Sequence, residues 1–219
     1  MRVAIPKGRV VDLSQVLYPG QEQYKLEATM VGERPGETAD IFYEVHLWTH
    51  VGTHVEMPFH FLSKGKDATQ MPLDKFMGWA IVLDFRHKKH DDAITEEELQ
   101  AAGEIELGDR VLLWTGRDKL YRTSQSRERP FLTPDACKWL VFDRKIALLG
   151  TDACGVEMDR VNWTNHQILH GNEVPVIESL ANLGALTKQR IYLIALPWFV
   201  KGIDASPIRA IAIEPEGGT

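Results

Sequence analysis

The chain has 219 residues, 44% of them hydrophobic, and a formal net charge of −6 at pH 7. That is enough apolar material for one ordinary domain, and with no Lys/Arg block interleaved with aromatics the acidic balance argues against nucleic acid as a partner. No apolar run approaches the roughly 18 residues of a membrane span, and the opening Met1–Arg9 is too polar for a secretory signal. Cys137 and Cys154 are the only cysteines and form no Cys-x2-Cys motif. They read as small core residues in a reduced, cytoplasmic protein.

In chain order, Val10–Ser14 reads as a short strand and Tyr18-Pro19-Gly20 as a turn. Residues 22–40 are polar and without a clear period, which suggests a surface excursion or a flap. Ile41–Thr49 is rich in β-branched and aromatic residues and reads as a strand. It leads into the most informative stretch, His46 to His60, which holds four of the eight histidines. Its core is His50-x3-His54-x-Glu56-x3-His60. Imidazole nitrogens and a carboxylate oxygen converging on one point suit Zn, Mn or Fe. Gly52 and Pro58 lie inside the stretch, so a rigid loop is expected rather than a regular helix or strand. His46 falls in the preceding strand and is not expected to be a ligand. The residue after His50 is Val51 and not Glu, so this is not the metalloprotease motif.

Further on, Trp79–Phe85 reads as a buried strand, and His87 and His90 as part of a solvated basic loop. Thr95 and Glu98 form a capping box for a helix ending near Gly103, and Val111–Thr115 is another strand. Arg117–Arg129 reads as an exposed loop able to reach a neighbouring subunit. Thr133-Pro134 starts a helix that runs to about Asp143. Ile146–Gly150 is a strand whose end carries Asp152, either a turn cap or a group that orients a ligand histidine. Asn165–His170 reads as a short helix ended by Gly171, and Val174–Glu178 as extended. Ile191–Leu196 is a strand, Pro197-Trp198-Phe199 is expected to turn over a pocket, and 202–207 is a turn cluster. Ile208–Ile213 is the last strand. Alternating short strands with few helices imply mixed α/β architecture with a strand-rich core. No repeat or linker divides the chain, so a single domain over 1–219 is expected.

The stretch His50-Val-Gly-Thr-His54-Val-Glu56-Met-Pro-Phe-His60 resembles the His-x-Gly-Thr-His-x-Asp-x-Pro-x-His signature of the metal-dependent cyclase hydrolases, which include bacterial kynurenine formamidase and isatin hydrolase. Asp12-Leu-Ser near the start, His166 with Glu178 twelve residues on, Leu180–Leu183, and Pro207, Arg209 and Ala212 also fit, so the resemblance runs from Asp12 to Ala212. It departs at Glu56, where the better-known members carry Asp, and in lacking an early Trp. It implies a swivelling β/β/α domain and a homodimer or homotetramer. It also implies a metal set of His50, His54, Glu56, His166 and Glu178, with His60 as general acid/base. His170 matches no family ligand and is expected near the site or on the surface. One ion or two remain open, as does His60 serving instead as ligand to a second ion.

The expected cofactor is a divalent metal, Zn or Mn first. A set of His and carboxylate ligands with open positions is a catalytic design, so the expected reaction is hydrolysis of a small-molecule amide, formamide, cyclic amide or lactone. Tyr18, Trp48, Phe59, Phe61, Trp198 and Phe199 are the aromatics available to line a pocket. The alternative is a non-catalytic metal-binding protein of the same fold. No nucleotide loop and no Gly-x-Ser-x-Gly elbow is present, and a cupin is disfavoured because its His-x-His pair is missing.

Overall fold

The computed structural model describes residues 4–34, 40–158 and 162–217. In chain order the elements are β1 (Gly8–Asp12), β2 (Leu26–Arg34), β3 (Asp40–Leu47), β4 (His54–Glu56), β5 (Met77–Asp84), β6 (Ala93–Ile94), α1 (Glu96–Ala102), β7 (Arg110–Trp114), β8 (Phe131–Leu132), α2 (Pro134–Phe142), β9 (Leu148–Thr151), α3 (Thr164–Gly171), β10 (Val176–Glu178), β11 (Arg190–Ile194), β12 (Ala205–Pro207) and β13 (Ile211–Pro215). Nine strands among the described residues form one mixed sheet in the order β1-β13-β11-β5-β7-β9-β10-β4-β12.

The middle of this sheet, β5-β7-β9-β10, is parallel, and both flanks are antiparallel. Parallel neighbours need a crossover, and α1, α2 and α3 supply one each. The helix starts follow from local chemistry. Thr95 Oγ1 accepts from the Glu98 amide at 3.4 Å while Glu98 Oε2 accepts from the Thr95 amide at 3.0 Å, a reciprocal capping box. Thr133 caps α2 by a single bond, its Oγ1 accepting from the Ala136 amide at 3.2 Å, with Pro134 in the first turn where its missing N–H costs nothing.

Side chains alternate between two apolar layers, as the strand period of two requires. Ile81, Leu83, Val111, Leu113 and Leu149 pack with Leu99, Ala136, Leu140 and Leu169 of the helices. Ala80, Val82, Leu112 and Leu148 face the other way. That second layer also holds Val11, Leu193 and Ala212 from one end of the sheet and Val55 and Ile177 from the other. Opposite ends of a nine-stranded sheet meet in one cluster only if the sheet curls over on itself. The backbone of Leu13 links the two ends, donating to Ala210 O and accepting from Ala181 N, each at 2.9 Å. The result is a mixed α/β fold with a strand-rich core, as the strand pattern implies, in the β/β/α arrangement that the family resemblance implies, with the helices on one face.

Two expectations need correction. Residues 22–40 are not irregular: Leu26–Arg34 is a strand paired with β3 in a separate two-stranded ribbon. Met30, Val31, Ile41, Phe42, Tyr43 and Val45 on this ribbon are each roughly half exposed, so no buried face imposes the alternation by which a strand is read. Residues 35–39, part of the expected flap, lie outside the described residues. The metal-motif stretch is not wholly loop: His54–Glu56 is a strand held between β10 and β12. Residues 117–129 form the largely exposed loop expected, anchored to their own chain where the Arg122 guanidinium bonds the Val16 carbonyl and Glu22 and where Ser126 and Arg129 are buried.

Candidate metal centre

The site begins with the register of β4. Val55 points into the curled layer, so His54 and Glu56 share the opposite, helix-side face. Antiparallel pairing sets Glu178 of β10 directly beside His54. Helix α3 crosses that face and lowers His166 and His170 onto Glu56 from four residues apart, the spacing that puts two side chains on one helix side. Gly52, at φ +68°, lets the chain turn between His50 and His54, and a Cβ there would meet Leu17 Cδ2 at 2.4 Å. Thr53 anchors the same turn, donating to Ser179 O at 2.6 Å and accepting from the Gln15 amide at 2.9 Å.

The donor atoms converge on the Glu56 carboxylate, which is 3% exposed. Its Oε1 lies 3.1 Å from His50 Nδ1 and 3.7 Å from both His54 Nε2 and His60 Nε2. Its Oε2 lies 3.1 Å from His166 Nε2 and 3.8 Å from His170 Nε2. Glu178 spans the same two sides, Oε2 at 3.9 Å from His54 Nε2 and Oε1 at 3.7 Å from His166 Nε2. Among the described residues three overlapping groups therefore have ligand atoms close enough for an ion: His50/Glu56/His60, His54/Glu56/Glu178 and Glu56/His166/His170.

The outward nitrogens fit the same purpose. His54 Nδ1 faces Gly52 O at 2.8 Å, His166 Nδ1 faces Glu157 Oε1 at 2.9 Å, His50 Nε2 faces Asp204 Oδ2 at 2.9 Å, and His60 Nδ1 faces the same oxygen at 3.0 Å. When each donates N–H outward, its other nitrogen presents a lone pair to the centre, as metal-site histidines do. Burial alone would raise the Glu56 carboxyl, but the imidazoles around it, His166 first, hold it well below the usual range. Burial lowers His50, yet Glu56 and Asp204 outweigh it and lift the imidazole to about 9. His166 is likewise lifted against burial by Glu157, Glu178 and Glu56, whereas burial lowers His170. Buried carboxylates facing several imidazoles are the donor chemistry a divalent ion requires.

A cavity of about 550 Å³ opens over the cluster, lined by Tyr24, Trp48, Phe61 and Trp163 with Arg127, Arg129 and Cys154 at its sides. Trp48 and Phe61 are where the sequence suggested. Tyr18, Phe59, Trp198 and Phe199 are not among its lining residues: Tyr18 packs under Arg122, and Trp198 lines a different hollow with Leu196 and Arg209. The Pro197–Phe199 segment therefore does not cover the site, and Phe199 is 81% exposed. Cys154 borders the cavity rather than filling the core, and burial raises its thiol to about 11, so it is not a thiolate at neutral pH. Both cysteines are free.

Other residues sort themselves clearly. Asp152 is a turn cap: its carboxylate accepts from the Thr115 amide and hydroxyl and from the Gly116 and Arg117 amides at 2.6–3.2 Å. No histidine is among those donors. His46 pairs with Glu44 on the exposed ribbon, and His87 and His90 are exposed. His170, expected beside the site or at the surface, is fully buried in it. Asp204, Glu157, Tyr24 and Trp163 were not anticipated. Asp204 immediately precedes β12, and only the β12–β4 pairing brings it to His50 and His60.

The Cyclase family model, whose description reads "Putative cyclase", matches residues 11–158. A kynurenine formamidase of Salinibacter ruber is 29% identical over 211 residues, covering 93% of each chain. One from Erythrobacter litoralis is 28% identical over 218 residues, covering 96% of each. Among solved structures, an isatin hydrolase bound to the product analogue thioisatinate superposes with a TM-score of 0.83 at 26% identity, over 94% of this chain and 92% of that one. A potential metal-dependent hydrolase with cyclase activity gives 0.81 at 26%, over 96% and 100%.

Proposed function

Because the chain belongs to the cyclase family of metal-dependent hydrolases, we propose that it hydrolyses a non-peptide amide, formamide, cyclic amide or lactone on an aromatic small molecule. The observation that carries this reading is the convergence of His50, His54, Glu56, His166 and Glu178 beneath an aromatic-walled cavity. These five are the proposed metal ligands, and Zn or Mn suits the mixed imidazole and carboxylate set. When bound, such an ion brings the pKa of a water down to about 7 and polarises a carbonyl.

The chain's own residues do the rest. His60 is the proposed general acid/base: its Nδ1 is held by Asp204 Oδ2 at 3.0 Å, its Nε2 faces inward, and it is part-exposed on the cavity wall. It takes a proton from the attacking water and returns one to the leaving nitrogen or oxygen. Asp204 fixes the ring and its tautomer, and Glu157 does the same for His166. Tyr24, Trp48, Phe61 and Trp163 offer flat apolar surface to an aryl group.

A homodimer or homotetramer is part of the proposal, supported by the half-exposed apolar strip on β2 and β3. A single domain is supported by the one sheet that both apolar layers share. Cytoplasmic residence is supported by the two unpaired thiols, and no described helix is long and apolar enough to cross a membrane. The test is turnover of formanilides, cyclic imides and aryl lactones by metal-stripped and reloaded protein. Hydrolysis restored by Zn²⁺ or Mn²⁺ is expected, and equal rates with and without metal would refute the reading.

A further inference from the structure

Among the histidines of the cluster, His170 is the one that the family pattern leaves without a role. Its side chain is completely buried, and neither ring nitrogen has a hydrogen-bond partner among the described residues. A buried imidazole normally satisfies at least its N–H, and the other four histidines of the cluster all do so outward, through Gly52 O, Glu157 or Asp204. His170 instead stacks against Phe61, ring centroids 5.7 Å apart, and aims Nε2 at Glu56 Oε2, 3.8 Å away. That distance is too long for a hydrogen bond. It suits two donors of one ion, because ligands each roughly 2.0–2.2 Å from a zinc stand about 3–4 Å from each other.

We propose that His170 is a metal ligand, completing with Glu56 Oε2 and His166 Nε2 a second ion position on the α3 side of the Glu56 carboxylate. His50 and His54 would then serve the position on the Oε1 side, with Glu178 reaching both through its two oxygens. The geometry gives each Glu56 oxygen its own set of imidazoles. Glu56 Oε2 is directed toward α3, and two imidazoles of that helix, His166 and His170, face it. The inference rests on the metal-dependent reading above and goes beyond its five ligands.

The test is calorimetric titration of metal-stripped full-length protein with Zn²⁺, comparing wild type with His170→Leu, His170→Gln and His54→Ala. Wild type should take up two ions. Both His170 variants should keep the first and bind the second at least about tenfold more weakly, the low end of what losing an outer-shell partner costs. His54→Ala should weaken the other position. A second readout needs no folded variant beyond assignment: in long-range ¹H–¹⁵N spectra of wild type, the second zinc equivalent should move one His170 nitrogen to the metal-bound region. Two zinc positions indifferent to both His170 variants, or one position only, with the His170 nitrogens unmoved by zinc, would overturn this inference alone. A wild-type chain that takes up no zinc or manganese would overturn the functional reading with it.

Discussion

Glu56 and Asp152 are both buried acids at strand ends of the same sheet, 3% and 2% exposed, and they are satisfied in opposite ways. Asp152 gathers backbone amides and a hydroxyl from the turn after β7. Those donors are neutral, and burial lifts its carboxyl to about 6 despite them. Glu56 gathers imidazoles, which hold it well below the ordinary range although burial opposes them. An acid whose partners are peptide N–H groups closes a turn and has nothing left to offer. An acid whose partners are imidazoles sits among groups that can all surrender a lone pair to the same cation. The identity of the donor, more than the depth of burial, separates structure from chemistry here.

Breaking the imidazole side should have the largest effect. Glu56→Gln is expected to lower Zn²⁺ affinity by more than about a hundredfold, beyond the upper end of outer-shell effects, and turnover should disappear with the metal. Calorimetry and metal analysis of the purified variant check this. His60→Ala should reduce turnover by roughly 10²–10⁴-fold with metal retained, the usual span for a general acid/base. Lost metal with full rate per remaining ion would make His60 a ligand instead.

On the other side of the comparison, Asp152→Asn should destabilise the fold by about 1–3 kcal/mol through weakened buried hydrogen bonds, with zinc uptake unchanged. Its pH signature has a definite sign. The folded Asp152 keeps its proton up to about 6, above the ordinary 3.8. The unfolded chain therefore releases that proton first, and this contribution to stability is full below about pH 4 and lost as pH rises through 6. Urea unfolding at pH 4.5 and pH 7 should show a fall for wild type that is smaller for Asp152→Asn. The smallest effect sharpens the imidazole side. With His50 raised to about 9 by Glu56 and Asp204 against burial, an ion must displace its proton at any lower pH, so apparent affinity should climb from pH 6.5 toward 9. Asp204→Asn should shift that climb to lower pH, read as fewer protons released on calorimetry in buffers of different ionisation enthalpy.

What could be read from the sequence was what is local in the chain. His50, His54, Glu56 and His60 lie within eleven residues, and the helices of α1 and α2 announce themselves by caps at Thr95 and Thr133. His166 and Glu178 were legible through resemblance, because their spacing alone has no chemical meaning until β10 pairs with β4. Asp204 and Glu157 were not legible: each is an isolated acid in a turn-rich stretch, brought to the site only by long-range packing. His170 was legible as a helix residue one turn beyond His166, but which helix face meets the sheet depends on tertiary contacts. The β2 strand was missed for the converse reason, since a ribbon with half-exposed apolar side chains lacks the buried alternation that marks a strand.

The most direct measurement is anomalous diffraction at the zinc edge from crystals grown with saturating Zn²⁺. The account predicts a strong peak about 2.0–2.2 Å from the imidazoles of His50 and His54 and from oxygens of Glu56 and Glu178, the normal range for these ligands. Well-ordered side chains at those four positions with no peak among them would contradict it.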